Sequence, residues 1–174
     1  MTHWIHRPLP HHDEVNVVFF RGISLDAAVK GLLGQRRMPV AYGKGADWGL
    51  VMHDMFHWEG DDYSPVHYGQ LCAAGGELVV LVIEPYIAKA HGPSFEYYRD
   101  GRLVSSFSFE SPDYRGGEQP DLLLPALTAA GVIDPTDLDR DDSEERIVAR
   151  SAASSLCPNS PCPEPGFVVG VSGA

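Results

Sequence analysis

Short apolar runs broken by glycine, proline and aspartate dominate the chain, and this pattern predicts strands more often than helices. Residues 16–20, Asn-Val-Val-Phe-Phe, form the first strand candidate, and residues 38–42 and 48–53 form two more. Residues 78–83 read Leu-Val-Val-Leu-Val-Ile, an unbroken aliphatic run that predicts a central strand covered on both faces. Residues 95–109 hold two strands joined at Asp100-Gly101. That dipeptide tolerates the positive φ angles of a type I′ turn, which matches the twist of an antiparallel pair. Alternation then places Phe95, Tyr97 and Arg99 on one face, opposite Glu96 and Tyr98. On the second strand Leu103, Ser105, Phe107 and Phe109 share a face, opposite Val104, Ser106 and Ser108, and the phenylalanine side is the better core face.

Helical spacing is confined to a few places. Ser24 has the form of an N-cap, Leu25, Val29, Leu32 and Leu33 fall on one face, and Gly34 is a stop. Ser64-Pro65 predicts a helix start, with the helix running to about Ala74 before Gly75-Gly76. A further helix is expected over 121–130, with Pro125 near its first turn and Gly131 as its stop. Residues 134–150 begin as an acidic run and then read as a helix carrying Ile147 and Val148. Residues 1–14 lack periodicity and read as an irregular arm, and 154–166 contain four prolines and cannot hold a regular element. Residues 167–171, Phe-Val-Val-Gly-Val, could add an edge strand or pack as a tail.

The order β-α-β-β-α-β-β-β-α-α predicts an α+β fold. The expected architecture is a largely antiparallel mixed sheet of about five to six strands, with three to four helices packed mainly on one face. Residues 15–150 make a single domain in this reading, between the arm at 1–14 and a Pro/Ser/Cys-rich tail at 151–174.

Composition narrows the classes of function. At 174 residues and 44% apolar, the chain can bury one core but is short for two domains. The N-terminal residues lack the apolar stretch of a secretory signal, and no run approaches the ~20 residues of a membrane helix, so a soluble cytoplasmic protein is expected. A net charge of −11 repels phosphate, which disfavours nucleic acid and anionic membranes as partners and would speed encounter with a basic one. Three cysteines without a signal sequence argue against a disulfide scaffold, and Cys72 reads as a small core residue.

Several segments together carry a resemblance: Trp48-Gly-Leu, Ala73-Ala-Gly-Gly76, the hairpin Phe95-Glu-Tyr-Tyr-Arg-Asp-Gly-Arg-Leu-Val-Ser-Ser-Phe107, and Pro112-Asp-Tyr-Arg-Gly-Gly-Glu-Gln-Pro-Asp121. The chain resembles, over roughly residues 15–170, an uncharacterised domain family common in actinobacteria, the domain of unknown function numbered six-four-six-one. The resemblance supports the fold and implies no activity or catalytic residue. A small acidic α+β domain is also similar to many bacterial immunity and partner-binding proteins, an analogy at the level of fold alone.

Candidate chemistry is sparse. His53 and His57 lie four apart and, with Asp54, Glu59 or Asp61, could hold a divalent metal, with His11 and His12 as further ligands if the arm folds back. Half-buried or surface histidines near a strand end are the simpler account. No Glu follows the first His as in a zincin, and no G-x-S-x-G elbow exists. Apart from that metal no cofactor is expected. Cys157 and Cys162 could form half a zinc site or a disulfide, or remain two thiols in a proline-rich linker, and Gly43-Lys-Gly-Ala-Asp47 reads as a hairpin turn rather than a phosphate loop. Glu84 and Glu96 could pair only if adjacent strands align them.

Asp134, Asp137, Asp139, Asp141, Asp142, Glu144 and Glu145 crowd into twelve positions, far more than helix capping uses. A solvated acidic face would account for them, and so would a basic partner, for which Trp58, Tyr63, Tyr86, Tyr97 and Tyr98 would be aromatic anchors. Two readings result. The first is an acidic binding module, of immunity or regulatory type, that captures a more basic protein. The second is a small enzyme or ligand-binding protein with a His/aromatic site around residues 48–67, metal-dependent in one version and acting on a small molecule or peptide.

Overall fold

The structure is a computed structural model, and it describes residues 15–59, 64–72, 74–82, 94–108, 115–129 and the backbone of 168–171. The described strands are β1 (Val15–Arg21), β2 (Pro39–Lys44), β3 (Gly49–Asp54), β4 (Glu77–Val82), β5 (Ser94–Arg99), β6 (Arg102–Ser108), β7 (Arg115–Gly116) and β8 (Val168–Val171). They form one sheet in the order β7-β6-β5-β4-β1-β3-β2-β8, and every pairing is antiparallel. The sheet is therefore wider than the five to six strands expected, because a two-residue β7 and the segment at 168–171 extend its two edges.

Position in the sheet follows hydrophobicity. The two most continuously apolar segments, β1 and β4, are neighbours in its interior, where both faces are covered. Val17, Phe19, Leu50, Met52, Val79, Leu81 and Phe95 build a core on one face, joined by Leu123 and by Leu127 of α3 (Leu124–Ala129). Val18, Phe20, Val51, Leu78 and Val80 build the other core, against Ala28 and Leu32 of α1 (Leu25–Gly34) and Tyr68 and Leu71 of α2 (Tyr68–Leu71). The described helices thus contribute to both cores, two of them to the second. No helix among the described residues is long and apolar enough to cross a membrane. The acidic helix expected within 134–150 lies outside the described residues.

The hairpin between β5 and β6 turns as expected, with Asp100 at φ 53° and Gly101 at φ 78°, both positive as a type I′ turn requires. Its register is different from simple alternation. A bulge between Tyr97 and Tyr98 sets Leu103 opposite Tyr98 and Ser105 opposite Tyr97, which brings Val104 into the same core as Phe107. The extra residue reverses the face of the strand beyond it, so Leu103 does not share the Phe107 face. Phe95 and Phe107 stack with ring centroids 5.0 Å apart. The turn itself docks on the loop before β4: Asp100 Oδ1 accepts from the Gly75 amide at 2.6 Å, and the Asp100 amide donates to the Gly76 carbonyl at 3.1 Å. Gly22, at φ 75°, sits where a Cβ would come within 2.3 Å of the Gly75 oxygen, so this crossing of the chain requires glycine.

Two expected helix ends move. The end of α1 is a Schellman motif in which Arg36, at φ 60°, takes the left-handed position. The Arg37 amide bonds to the Leu32 carbonyl and the Arg36 amide to the Leu33 carbonyl, each at 2.9 Å. Gly34 is the last helical residue rather than the stop. Ser64 does not start a helix either: α2 covers only Tyr68–Leu71, with His67 as its N-cap and no side-chain cap bond. The Ser64 hydroxyl is engaged elsewhere.

Candidate functional site

Asn16 and His53 oppose each other on β1 and β3, on the sheet face covered by α1 and α2. Gln35, the C-cap of α1, clasps the backbone of His67, accepting from its amide at 2.7 Å and donating to its carbonyl at 3.3 Å. That clasp fixes the first residue of α2, Tyr68, over the sheet.

A chain of hydrogen bonds follows. The His53 Nδ1 lies 2.8 Å from the Asp54 carbonyl, which can only accept, so Nδ1 carries the proton and Nε2 is an acceptor. The Tyr68 hydroxyl, 3.0 Å away, donates to Nε2 and accepts from Asn16 Nδ2 at 3.1 Å. Every polar atom on this path is matched. Burial drives the His53 ring down to about 4, and the nearby Arg37 charge pushes the same way against the opposing carbonyl of Asp54. Burial also holds the Tyr68 phenol well above its ordinary range, with the Glu96 charge adding to the effect. Both groups are therefore neutral near pH 7.

Glu96 and Tyr98 project from β5 on the same side, with the Tyr98 hydroxyl donating to Glu96 at 2.9 Å. Burial raises the Glu96 carboxyl above its ordinary value, partly offset by that bond. The Tyr68 and Tyr98 rings are 6.2 Å apart, so the network reaches from β3 to β5.

At its outer end lies a second group. Arg37 is fully buried, and its Nη2 donates to the Ser64 carbonyl and lies 3.4 Å from the Ser64 hydroxyl. The same hydroxyl is 2.9 Å from His57 Nε2. Ser64 and His57 are half-buried. Trp58, the residue after His57, is 46% exposed, and Met38 is 44% exposed. The Trp58 amide bonds to the Arg36 carbonyl at 3.3 Å and Glu59 pairs with Arg36 at 2.6 Å, so this exposed tryptophan is pinned to the turn after α1.

The structure thus separates the two histidines named from the sequence. His53 is in β3 and has both ring nitrogens engaged, and His57 lies beyond the strand and bonds to Ser64. A metal at His53 would have to displace the Tyr68 hydroxyl or the Asp54 carbonyl. Among the described residues no group of three or more His, Cys, Asp or Glu is arranged to hold a metal. Trp48 belongs to the opposite core, beneath the Arg21 guanidinium at 4.8 Å. Cys72 is a buried core thiol, as expected, donating to the Gly76 carbonyl at 3.2 Å.

Tyr63, Tyr86, Glu84, Asp61, His11, His12, Cys157, Cys162 and the seven acidic residues between Asp134 and Glu145 lie outside the described residues. Sequence reasoning passed over Asn16, Arg37 and Tyr68, and took Ser64 for a helix start. Only one signal pointed at them: two adjacent arginines directly after a helix, in a chain with few cations.

A family model described as "Family of unknown function (DUF6461)" matches residues 38–157. No curated protein and no solved structure matches the chain.

Proposed function

The chain belongs to DUF6461, a family of unknown function, and from that footing we propose that it is a cytoplasmic binding module, of immunity or regulatory type, that captures a more basic protein. The distribution of charge carries this reading. The described residues hold eight Lys or Arg and nine Asp or Glu, close to balance. The whole chain has 13 and 24, so the remaining segments hold five basic and fifteen acidic residues. The acid surplus is therefore carried by the segments outside the described residues, and a charge excess of this sign would attract a basic partner. Trp58 is the natural apolar anchor: large, exposed, held by its backbone, and followed in sequence by Glu59, Asp61 and Asp62.

The test is retention of host proteins by the immobilised full chain at ~50 mM and ~500 mM salt. A basic protein is expected to be held at the lower salt and released at the higher, because the screening length falls to about 4 Å. Trp58→Ala should weaken that complex by about 30-fold or more, as loss of an anchor worth about 2 kcal/mol implies. No protein retained at low salt, or one retained equally at both salts, would overturn the reading.

A further inference from the structure

Ser64 precedes Pro65 in the form of a helix start, yet its hydroxyl caps nothing and instead meets an imidazole and a buried guanidinium. We propose that Ser64 is a nucleophile, with His57 as its general base and Arg37 as the charge behind it, acting on small acyl esters. Its Oγ is 2.9 Å from His57 Nε2, inside the range in which a base takes a proton from a hydroxyl. Arg37 is fully buried, so its charge acts at reduced dielectric on an oxygen 3.4 Å away and favours the alkoxide as the proton leaves. The left-handed turn at Arg36, a strained position for a non-glycine residue, brings Arg37 inward immediately after α1. Ser64 and His57 keep partial access to solvent, and Trp58 beside His57 offers an apolar surface for the organic part of a substrate.

The chemistry balances within the site. The Ser64 proton passes to His57 Nε2 as Oγ bonds to the ester carbonyl carbon. The bond to the leaving alcohol breaks, and that alcohol takes the proton from His57. Water, deprotonated by the same imidazole, then attacks the acyl carbon, and Ser64 recovers its proton as the carboxylic acid departs. Among the described residues no carboxylate bonds to the other nitrogen of His57, so this is a dyad, for which general-base assistance of about 10²–10⁴-fold is the relevant scale. The proposal does not depend on the capture of a basic partner, because its test uses the isolated chain.

A fluorophosphonate probe reads it directly: Ser64 Oγ bonds to phosphorus and fluoride leaves. Intact mass and peptide mapping should find a single adduct, on Ser64, formed at least ~100-fold faster than on N-acetylserine amide under the same conditions. Ser64→Ala should abolish the adduct, and His57→Gln should slow it by a similar factor, with circular dichroism confirming that both variants fold. The comparison with the free serine derivative needs no variant, so it stands even if a substitution unfolds the chain. Labelling no faster than the free derivative, an adduct on another residue, or an unchanged rate in folded His57→Gln would overturn the assignment and leave Ser64 as a staple between Arg37 and His57.

Discussion

Tyr68→Phe is expected to lower the free energy of unfolding by about 2–4 kcal/mol although it removes a single oxygen. The hydroxyl both donates to His53 Nε2 and accepts from Asn16 Nδ2, in a layer where all three residues are buried. Its removal leaves a buried ring nitrogen without its donor and takes one bond from Asn16, at about 1–3 kcal/mol for each stranded group. Urea denaturation at pH 7 measures this, with Tyr98→Phe as the milder comparison because Tyr98 is only partly buried. A loss below about 1 kcal/mol would mean that the bonds are not carrying the layer.

The same residues set a pH dependence. His53 ordinarily titrates at 6.5 and in the fold near 4. The unfolded chain therefore takes up a proton below 6.5 that the native state refuses until about 4. The contribution of His53 to stability is complete above pH 6.5 and is lost as pH falls through that window, on the order of 3 kcal/mol. Glu96 acts in the opposite direction: its raised carboxyl favours the folded state at low pH and opposes it as pH rises through its ordinary 4.5. The net decline between pH 6.5 and 4 should be steeper in Glu96→Gln than in the natural chain, since the offsetting group is gone. Denaturation midpoints across that range decide it.

Phe95→Ala should cost about 3–5 kcal/mol. Phe95 is fully buried, stacks on Phe107, and lies in β5 between β4 and β6. Phe95→Leu retains most of the volume and should lose well under half as much. Equal losses would indicate that aromatic stacking rather than volume holds this part of the core.

Six strands and their succession along the chain were legible because each carries its own evidence: alternation, an aliphatic run, or a turn dipeptide that permits only one geometry. The β5–β6 bulge was not, because Val104, the added residue of β6 opposite the Tyr97–Tyr98 step, changes the register without changing the residue types on either side. The two helix ends were misread for a shared reason. Gly34 and Ser64 suit a stop and a start, but Arg36 took the left-handed position and Ser64 found partners on other elements, and tertiary contacts outweighed local preference in each case. The candidate site was nearly invisible. His53 and His57 were noticed as a pair, whereas each belongs to a different cluster.

By itself the sequence determined a largely antiparallel α+β domain, a type I′ turn at Asp100-Gly101, β4 as a doubly covered strand, and a strongly acidic chain. These rest on period, composition and backbone preference, which act between near neighbours. Only the tertiary structure decided that Asn16, His53 and Tyr68 form one chain of bonds across separations of 52 and 15 residues, and that Arg37 reaches Ser64 across 27. Such meetings depend on which strand lies beside which and where two short helices cross them. No local pattern encodes that, because it is set by the free energy of burying the whole sheet face at once.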